Sequence, residues 1–297
     1  MSTAAPSVYP LSLRFADLPQ FHTLVFAGGG NRCFWQASAL HWLQTQGFKL
    51  PAELIGTSAG AGVAATLMTG HAKRALEVCE RLYAGNASLV NWTSLQQFKL
   101  RFGHAHIFPA WIASYVNADT FDALRTAPTQ LRVAITQPAR WLGVAGSVLA
   151  GTLAYLIDKH VANSIHPRLP RWLGLRQAFF DLHDCTTVES AQTLLYAAGT
   201  APPFMPVQQW QGVAGLDGGY TDNAPIHPQT AQEKAQTLVL LTRHYPHLPL
   251  VFRWRERSYW QPSQRVPVST FACTQGTDVR AAWNLGERDA QQVFAAG

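Results

Sequence analysis

Short apolar runs, each followed by glycines and then by a helix-like segment, mark the first third of the chain. Residues 23–27 (TLVFA) are long enough for a buried strand and end at three glycines. A segment of helical composition, residues 33–46, follows and stops at a glycine. Residues 54–55 begin the same order again, with a glycine turn and a helix of small apolar residues that ends near Gly70. The pattern predicts two successive units of strand, turn and helix.

Later segments continue this alternation. Two further strands and two further helices are predicted, in chain order, at residues 131–136 (LRVAIT), 189–198, 237–242 (TLVLLT) and 278–294. Strands that alternate with helices build βαβ units, so we expect an α/β fold with a central, mostly parallel sheet flanked by helices. We expect one domain over residues 21–297, preceded by an N-terminal extension of residues 1–20, with the site at the carboxyl ends of strands.

The most hydrophobic segment of the chain interrupts this pattern. Residues 142–157 contain no charged side chain and are flanked by basic residues. As a helix the segment would span about 24 Å, short of the ~30 Å hydrocarbon core, so it is a poor lone transmembrane span. Its small residues recur every four positions, which lets another helix approach closely. We expect an apolar helical insertion at about residues 138–180, either buried in the core or in contact with a membrane.

Composition narrows the class of protein. Apolar residues make up 47% of the chain and charged residues 13%, which excludes a disordered, collagen-like or coiled-coil chain. The net charge of +6 favours anionic partners, either lipid headgroups or nucleic acid. Residues 251–260 (VFRWRERSYW) predict an extended strand with three arginines on one face. Because no nucleic-acid-binding motif accompanies them, we expect no nucleic-acid partner.

The cysteines and the N-terminus bear on the compartment. The four cysteines lie far apart and form no C-x-x-C pair, so we expect neither a disulfide framework nor a zinc site. Residues 1–10 lack a basic start followed by an apolar stretch, so they do not form a Sec-type signal peptide. We expect a cytoplasmic protein, either free or peripheral on the membrane.

Residues 56–60 (GTSAG) match the pattern G-x-S-x-G, in which a serine sits on a sharp turn between a strand and a helix. The apolar strand before it and the small-residue helix after it supply that context. The helix N-terminus would stabilise negative charge beside Ser58. A purely structural glycine turn is the alternative.

An earlier glycine-rich turn follows the first strand. Its residues are Gly28, Gly29, Gly30, Asn31 and Arg32. Backbone N–H groups in such a turn are not obstructed by side chains, so they suit a developing oxyanion. The turn lacks G-x-G-x-x-G spacing and a Walker lysine, which disfavours a nucleotide site.

Asp217 opens a third motif, residues 217–225 (DGGYTDNAP). A serine hydroxyl must lose its proton as it attacks, and a carboxylate within hydrogen-bond reach can accept it. Alone, an acid followed by two glycines is an ordinary turn signal. Asp222, five residues on, is expected to order the turn or to pair with a basic residue.

Taken in order, the three motifs resemble those of the patatin-like phospholipase family: G-G-G-x-R/K, G-x-S-x-G, and D-G-G/A continuing to N-x-P. The resemblance covers about residues 24–226, and residues 196–206 (YAAGTAPPFMP) are similar to the family's small-residue and proline segment. Cys33 departs from the family, which usually has glycine there, and the bulky Phe34 and Trp35 follow it. The departure bears on loop geometry and acyl access.

The resemblance implies a serine acyl hydrolase of the phospholipase A or lysophospholipase type, which cleaves fatty acyl esters of lipids through an acyl-enzyme. It implies a dyad of Ser58 as nucleophile and Asp217 as base, with no cofactor and no catalytic histidine. Its oxyanion hole would comprise Gly28, Gly29, Gly30, Asn31, Arg32 and Ala59. The expected partner is a lipid, phospholipid first, with peripheral membrane contact; the oligomeric state is not predicted.

Alternatives to this mechanism stay open. A Ser-Asp-His esterase is one, since His227, His244 or His247 would complete that chain order. A catalytically weak or silent lipid-binding protein of the same fold is the other, and Cys33 alone favours it. Pairs such as His104 with His106 lack a complete four-ligand pattern, so we expect no metal.

Overall fold

The computed structural model describes residues 7–91, 101–158 and 164–294. Its strands are β1 (Tyr9–Pro10), β2 (Thr23–Phe26), β3 (Glu53–Thr57), β4 (Val90–Asn91), β5 (Arg101–Phe102), β6 (Gln130–Gln137), β7 (Arg176–Asp181), β8 (Gln208–Trp210), β9 (Val213–Asp217), β10 (Thr237–Leu240), β11 (Val251–Trp254) and β12 (Arg257–Trp260). Its helices are α1 (Cys33–Thr45), α2 (Ala59–Met68), α3 (Ala72–Ala84), α4 (His104–Ala113), α5 (Ala118–Thr126), α6 (Gly143–Ile157), α7 (Leu169–Trp172), α8 (Val188–Ala198), α9 (Ala231–Ala235) and α10 (Val279–Phe294).

One mixed sheet forms the centre of the molecule. Its middle strands run parallel in the order β12-β10-β2-β3-β6. Antiparallel strands extend the sheet on both sides of this parallel part. On one side, β11 and β1 lie beyond β12, and on the other, β7, β9 and β8 follow β6. The predicted α/β fold with a central, mostly parallel sheet flanked by helices is confirmed.

The central strands are buried on both faces, as their unbroken apolar sequences require. Leu24 and Phe26 of β2 pack into the large core that also contains residues of α1, α2 and α10. Val25 points to the opposite face, where it joins a smaller cluster with Ile165 and Ala224. This alternation follows from the period of two along a strand, and it leaves only the strand ends available for chemistry.

Residues 251–260 do not form one strand. β11 and β12 pair antiparallel, with Trp254 opposite Arg257. Arg255 and Glu256 make the turn between them, with φ of +48° and +68°, which a two-residue hairpin turn requires. The predicted single strand with three arginines on one face is therefore wrong. Neither turn residue commonly adopts left-handed backbone, so the local residues do not indicate a turn.

Helix α6 lies on the surface with its small residues inward. Ser147 and Gly151 are buried, whereas Leu149 and Leu153 are 63% and 51% exposed. The alternative of a buried core helix is therefore wrong. Gly151 of the small face lies against the ring of Tyr220, and α6 also contacts α7. None of the helices in the described parts of the chain combines the length and apolarity needed to cross a membrane.

The first residues described join the sheet. Tyr9 and Pro10 pair with β11, and Leu13 and Leu18 are buried in the large core. The division of the chain at residue 20 and the bounds of the insertion at about 138–180 stay predictions.

Candidate active site

Ser58 occupies a sharp turn between β3 and α2. Its backbone, at φ +53° and ψ −138°, lies outside the regions that L-residues usually adopt. The flanking glycines make this turn possible. A Cβ at Gly56 would lie 2.5 Å from the Cα of Ala61, and one at Gly60 would lie 2.6 Å from the carbonyl oxygen of Phe26. Both positions therefore require glycine.

The sheet brings Asp217 to this turn. β6 pairs with β7 through residues 132–137, so β7 occupies one edge of β6 from Arg132 to the end of the strand. β3 pairs with the other edge as far as Ala134, and β9 begins on that edge at Ile135. Because β3 is parallel to β6 and β9 is antiparallel, their carboxyl ends meet. The residue after β3 is Ser58 and the last residue of β9 is Asp217.

The two side chains are hydrogen-bonded. The Ser58 hydroxyl donates to Asp217 Oδ2 at 2.6 Å, and the Gly219 amide donates to Asp217 Oδ1 at 2.7 Å. Burial raises the pKa of Asp217 to about 6, although both hydrogen bonds oppose the shift. Gly218 has to be glycine, since a Cβ there would overlap the Thr57 side chain. At pH 7 the carboxyl is largely ionised and able to accept a proton.

The glycine-rich turn after β2 contains both occupied and free amides. The Gly28 amide donates to the Asn223 carbonyl at 2.7 Å, and the Asn31 amide donates to the Thr270 carbonyl at 3.2 Å. The Arg32 amide likewise donates within the turn, to Gly29. Within the part of the chain that the structure describes, the amides of Gly29, Gly30 and Ala59 have no protein acceptor. These three are the donors that an oxyanion could use.

Ser58 lies between two concave spaces. An open cleft of about 910 Å³, its mouth included, is lined by Tyr155, Phe204 and Asp217 among others. A narrower pocket, which encloses about 60 Å³, or about 630 Å³ with its mouth included, is lined mostly by apolar side chains, including Phe34 and Trp111. An ester at Ser58 would therefore have room on both sides of its carbonyl.

Comparison with known proteins identifies the family. The family model for patatin-like phospholipase matches residues 24–228. The chain belongs to the patatin-like phospholipase family. Membership implies lipid acyl hydrolase activity, and it confirms the resemblance based on three motifs. VipD from Legionella pneumophila has a similar crystal structure, with a TM-score of 0.43, 12% identity, and coverage of 94% of this chain and 67% of that one. The search of curated proteins found no match.

The histidines considered for a triad lie elsewhere in this patatin-like chain. His227 contacts Glu53 at 3.2 Å, and His244 bonds to the Pro262 carbonyl. His247 packs against the ring of Tyr245. Among the described residues, no histidine is hydrogen-bonded to Ser58 or Asp217.

Asp222 makes the contacts expected of a residue that orders the turn or pairs with a basic residue. It is buried, accepts the Ala224 amide at 3.0 Å and contacts His166 Nδ1 at 2.8 Å. It therefore orders the turn and also pairs with a basic residue, away from Ser58.

The departure at Cys33 leaves the turn intact. The Cys33 side chain is buried beneath the turn, 3.5 Å from the Ala27 carbonyl, and burial raises the pKa of its thiol. Trp35 anchors α1 to α10 through a 2.7 Å hydrogen bond to Asp289. Of the bulky pair, only Phe34 reaches the apolar pocket.

Sequence reasoning missed the walls of the site. Phe271 and Thr270 line both the cleft and the apolar pocket, yet nothing in their local sequence marks them. His104 also lines the apolar pocket, and burial lowers its pKa to about 4, so the ring is neutral at pH 7. Two features of the sequence did give a signal: residues 196–206, noted for their resemblance to the family, contain Phe204 of the cleft, and the bulky Phe34 lines the apolar pocket.

Proposed function

We propose that this chain is a serine acyl hydrolase that cleaves fatty acyl esters of phospholipids or lysophospholipids by a Ser58–Asp217 dyad. The observation that carries the proposal is the 2.6 Å hydrogen bond from Ser58 to Asp217, formed on a strand-to-helix turn beside an apolar pocket. The raised pKa of Asp217 supports its role, because a base titrating near 6 both ionises at neutral pH and holds a proton well.

The reaction would proceed in two steps. Ser58 Oγ attacks the ester carbonyl while Asp217 takes its proton, and the oxyanion receives hydrogen bonds from Gly29, Gly30 and Ala59. Asp217 then protonates the departing alkoxide, leaving an acyl-serine. Water enters, loses its proton to Asp217 and releases the fatty acid, and the proton returns to Ser58.

The two spaces beside Ser58 suit the two parts of such a substrate. The apolar pocket would hold the acyl chain, since burying each CH₂ group contributes about 0.8 kcal/mol. The open cleft would admit the glycerol side, which is polar and leaves first.

Membrane contact through α6 is the second part of the proposal. Large apolar side chains on and near this helix are exposed: Trp141, Val144, Leu149, Leu153, Leu156, Ile157 and Trp172. Tyr155 and Leu156 also line the cleft, so this surface adjoins the cleft mouth. Arg168 and Arg171 follow it along the chain, whereas Lys159, also expected to contact headgroups, lies outside the described residues. A basic, apolar surface of this kind suits an anionic bilayer.

Ser58→Ala tests the proposal. Turnover of a chromogenic acyl ester should fall to background, and a fluorophosphonate should add its mass to the wild type but not to the variant. Ser114→Ala, at the end of α4, is a matched control that should retain both properties. Ester turnover that survives in folded Ser58→Ala would refute the assignment, and a wild type without turnover would favour a lipid-binding protein.

A further inference from the structure

A second cavity adjoins the cleft and is not used by the reaction described above. It encloses about 40 Å³, or about 580 Å³ with the open space at its mouth included, and it shares five lining residues with the cleft: Arg32, Tyr155, Gly219, Tyr220 and Asn223. Beyond these shared residues it is lined by Asp158 and Arg243. The cavity and the cleft therefore meet at these shared residues.

The cavity carries an excess of positive charge. Its lining includes two guanidinium groups, Arg32 and Arg243, against the single carboxylate of Asp158. Arg243 Nη1 lies 3.5 Å from Asp158 Oδ2, longer than the roughly 2.8 Å of a tight charge-assisted hydrogen bond. Arg32 has no carboxylate within 4.0 Å among the described residues, and its Nε donates only to the Gly29 carbonyl at 3.3 Å.

This arrangement is costly without an anion. Burial lowers the pKa of Arg32, and the charge of Arg243 acts in the same direction. Arginine nevertheless stays protonated, so the charge persists. A partly buried, uncompensated charge is unfavourable unless a counter-charge joins it. Guanidinium groups bind phosphate oxygens through paired N–H donors, more specifically than a point charge does.

We propose that this cavity is a phosphate-binding subsite, in which Arg243 and Arg32 hold the headgroup phosphate of the lipid while its ester lies at Ser58. The inference rests on the proposed function, because it assigns the substrate's phosphodiester to a place beside the same cleft. A few bonds of glycerol separate an acyl ester from the phosphorus, which suits two spaces that share five lining residues. Arg243 then determines specificity and takes no part in the bond changes at Ser58.

Asp158 sets the strength of this subsite. Its Oδ1 accepts the Ser164 amide at 3.0 Å, while its Oδ2 faces Arg243. An incoming phosphate competes with that carboxylate for the same guanidinium. Neutralising Asp158 should therefore strengthen phosphate binding, the opposite of neutralising Arg243.

The test compares two esters with the same acyl chain in neutral detergent micelles, lysophosphatidylcholine and monoacylglycerol. The measured quantity is the kcat/KM for lysophosphatidylcholine divided by the kcat/KM for monoacylglycerol. Arg243→Gln should lower this ratio by about tenfold, as expected for a lost charge-assisted bond, and Arg243→Lys should recover part of it. Asp158→Asn should raise the ratio. Arg125→Gln, an exposed arginine of α5 paired with Asp122, should leave it unchanged.

Two results would overturn the subsite. One is a ratio that is the same in Arg243→Gln and wild type, or that falls in Asp158→Asn. The other concerns free phosphate: if inorganic phosphate inhibits monoacylglycerol hydrolysis through Arg243 while the ratio is unaffected, the cavity binds a free anion and not a headgroup. Failure of the proposed function is distinguished separately, because hydrolysis of both esters would then survive Ser58→Ala.

Discussion

At the scale of single residues, protonation of Asp217 controls the pH dependence of the proposed reaction. Burial raises its pKa to about 6, and below that pH the carboxyl holds a proton and cannot accept one from Ser58. We expect kcat/KM for a neutral ester to rise with pH through a midpoint of about 6 and then to level off. The midpoint should barely move with temperature, as a carboxyl group requires. A strongly temperature-dependent midpoint would indicate a histidine base instead.

Asp217→Asn should separate activity from stability. Loss of a general base lowers turnover by about 10²–10⁴-fold. The pKa of Asp217 is higher in the folded than in the unfolded chain, so the stability that protonation provides is lost as pH rises through about 6. At pH 8 the buried carboxylate of Asp217 is ionised in the wild type, whereas asparagine is neutral. The variant should therefore melt at a higher temperature than wild type at pH 8. The difference in melting temperature should disappear below pH ~4. Thermal melts of both proteins at the two pH values measure it.

Asp222→Asn is the matched contrast. This buried carboxylate contacts His166 and Arg171 and not Ser58. Weakening these contacts should destabilise the fold by about 1–3 kcal/mol while folded protein still hydrolyses the ester. Urea denaturation and initial rates at low temperature measure the two effects. Equal loss of turnover in Asp217→Asn and Asp222→Asn would contradict the dyad.

Residue identities at this site were largely predictable, and hydrogen-bond partners were not. The resemblance carried by three motifs in order selected Ser58 and Asp217, whose side chains the structure places 2.6 Å apart. Which amides of the glycine turn are free depends on Asn223 and Thr270, which occupy the amides of Gly28 and Asn31 from distant parts of the chain. No local pattern reports such a pairing.

At the scale of elements, α6 depends on one close contact with the site. A Cβ at Gly151 would lie 2.6 Å from Tyr220 Cδ1, and Tyr220 lines the cleft. Gly151→Ala should therefore push on that ring, destabilise the fold by about 1–3 kcal/mol and lower turnover. Gly146→Ala is the control, since a Cβ there meets only the flexible Leu142 side chain and alanine favours a helix by about 1 kcal/mol. Melting temperatures of the two variants should shift in opposite directions.

Elements with a strong local pattern were predicted close to their observed bounds. Residues 33–46 became α1 (Cys33–Thr45) and residues 131–136 became β6 (Gln130–Gln137). Prediction failed where long-range pairing decides the structure. β7 has an ordinary half-buried sequence and is a strand because β6 offers it a full edge, whereas the hairpin at 255–256 depends on backbone that its residues seldom adopt.

At the scale of the whole molecule, the apolar surface of α6 should orient the enzyme on a bilayer. Replacing Leu149 and Leu153 together by serine removes exposed apolar area without touching the cleft lining. We expect co-sedimentation with anionic vesicles to fall by about tenfold or more, since each buried CH₂ contributes about 0.8 kcal/mol. Hydrolysis of a soluble short-chain ester and the melting temperature should not change.

Val213→Ser controls for the loss of any exposed apolar side chain, because Val213 is also exposed but lies at the start of β9. Its vesicle binding should equal that of wild type. Unchanged binding of the double leucine variant would remove α6 from the membrane contact, whatever the outcome at Ser58.

The meeting of β3 and β9 on one edge of β6 has an evolutionary consequence. The distance between nucleophile and base is set by strand register and not by the connecting chain. The connection between β6 and β7, which includes α6 and several cleft-lining residues, can then be lengthened or exchanged at small entropic cost. Exchanging this connection should therefore change which lipid is hydrolysed, while Ser58 and Asp217, the proposed dyad, keep their positions.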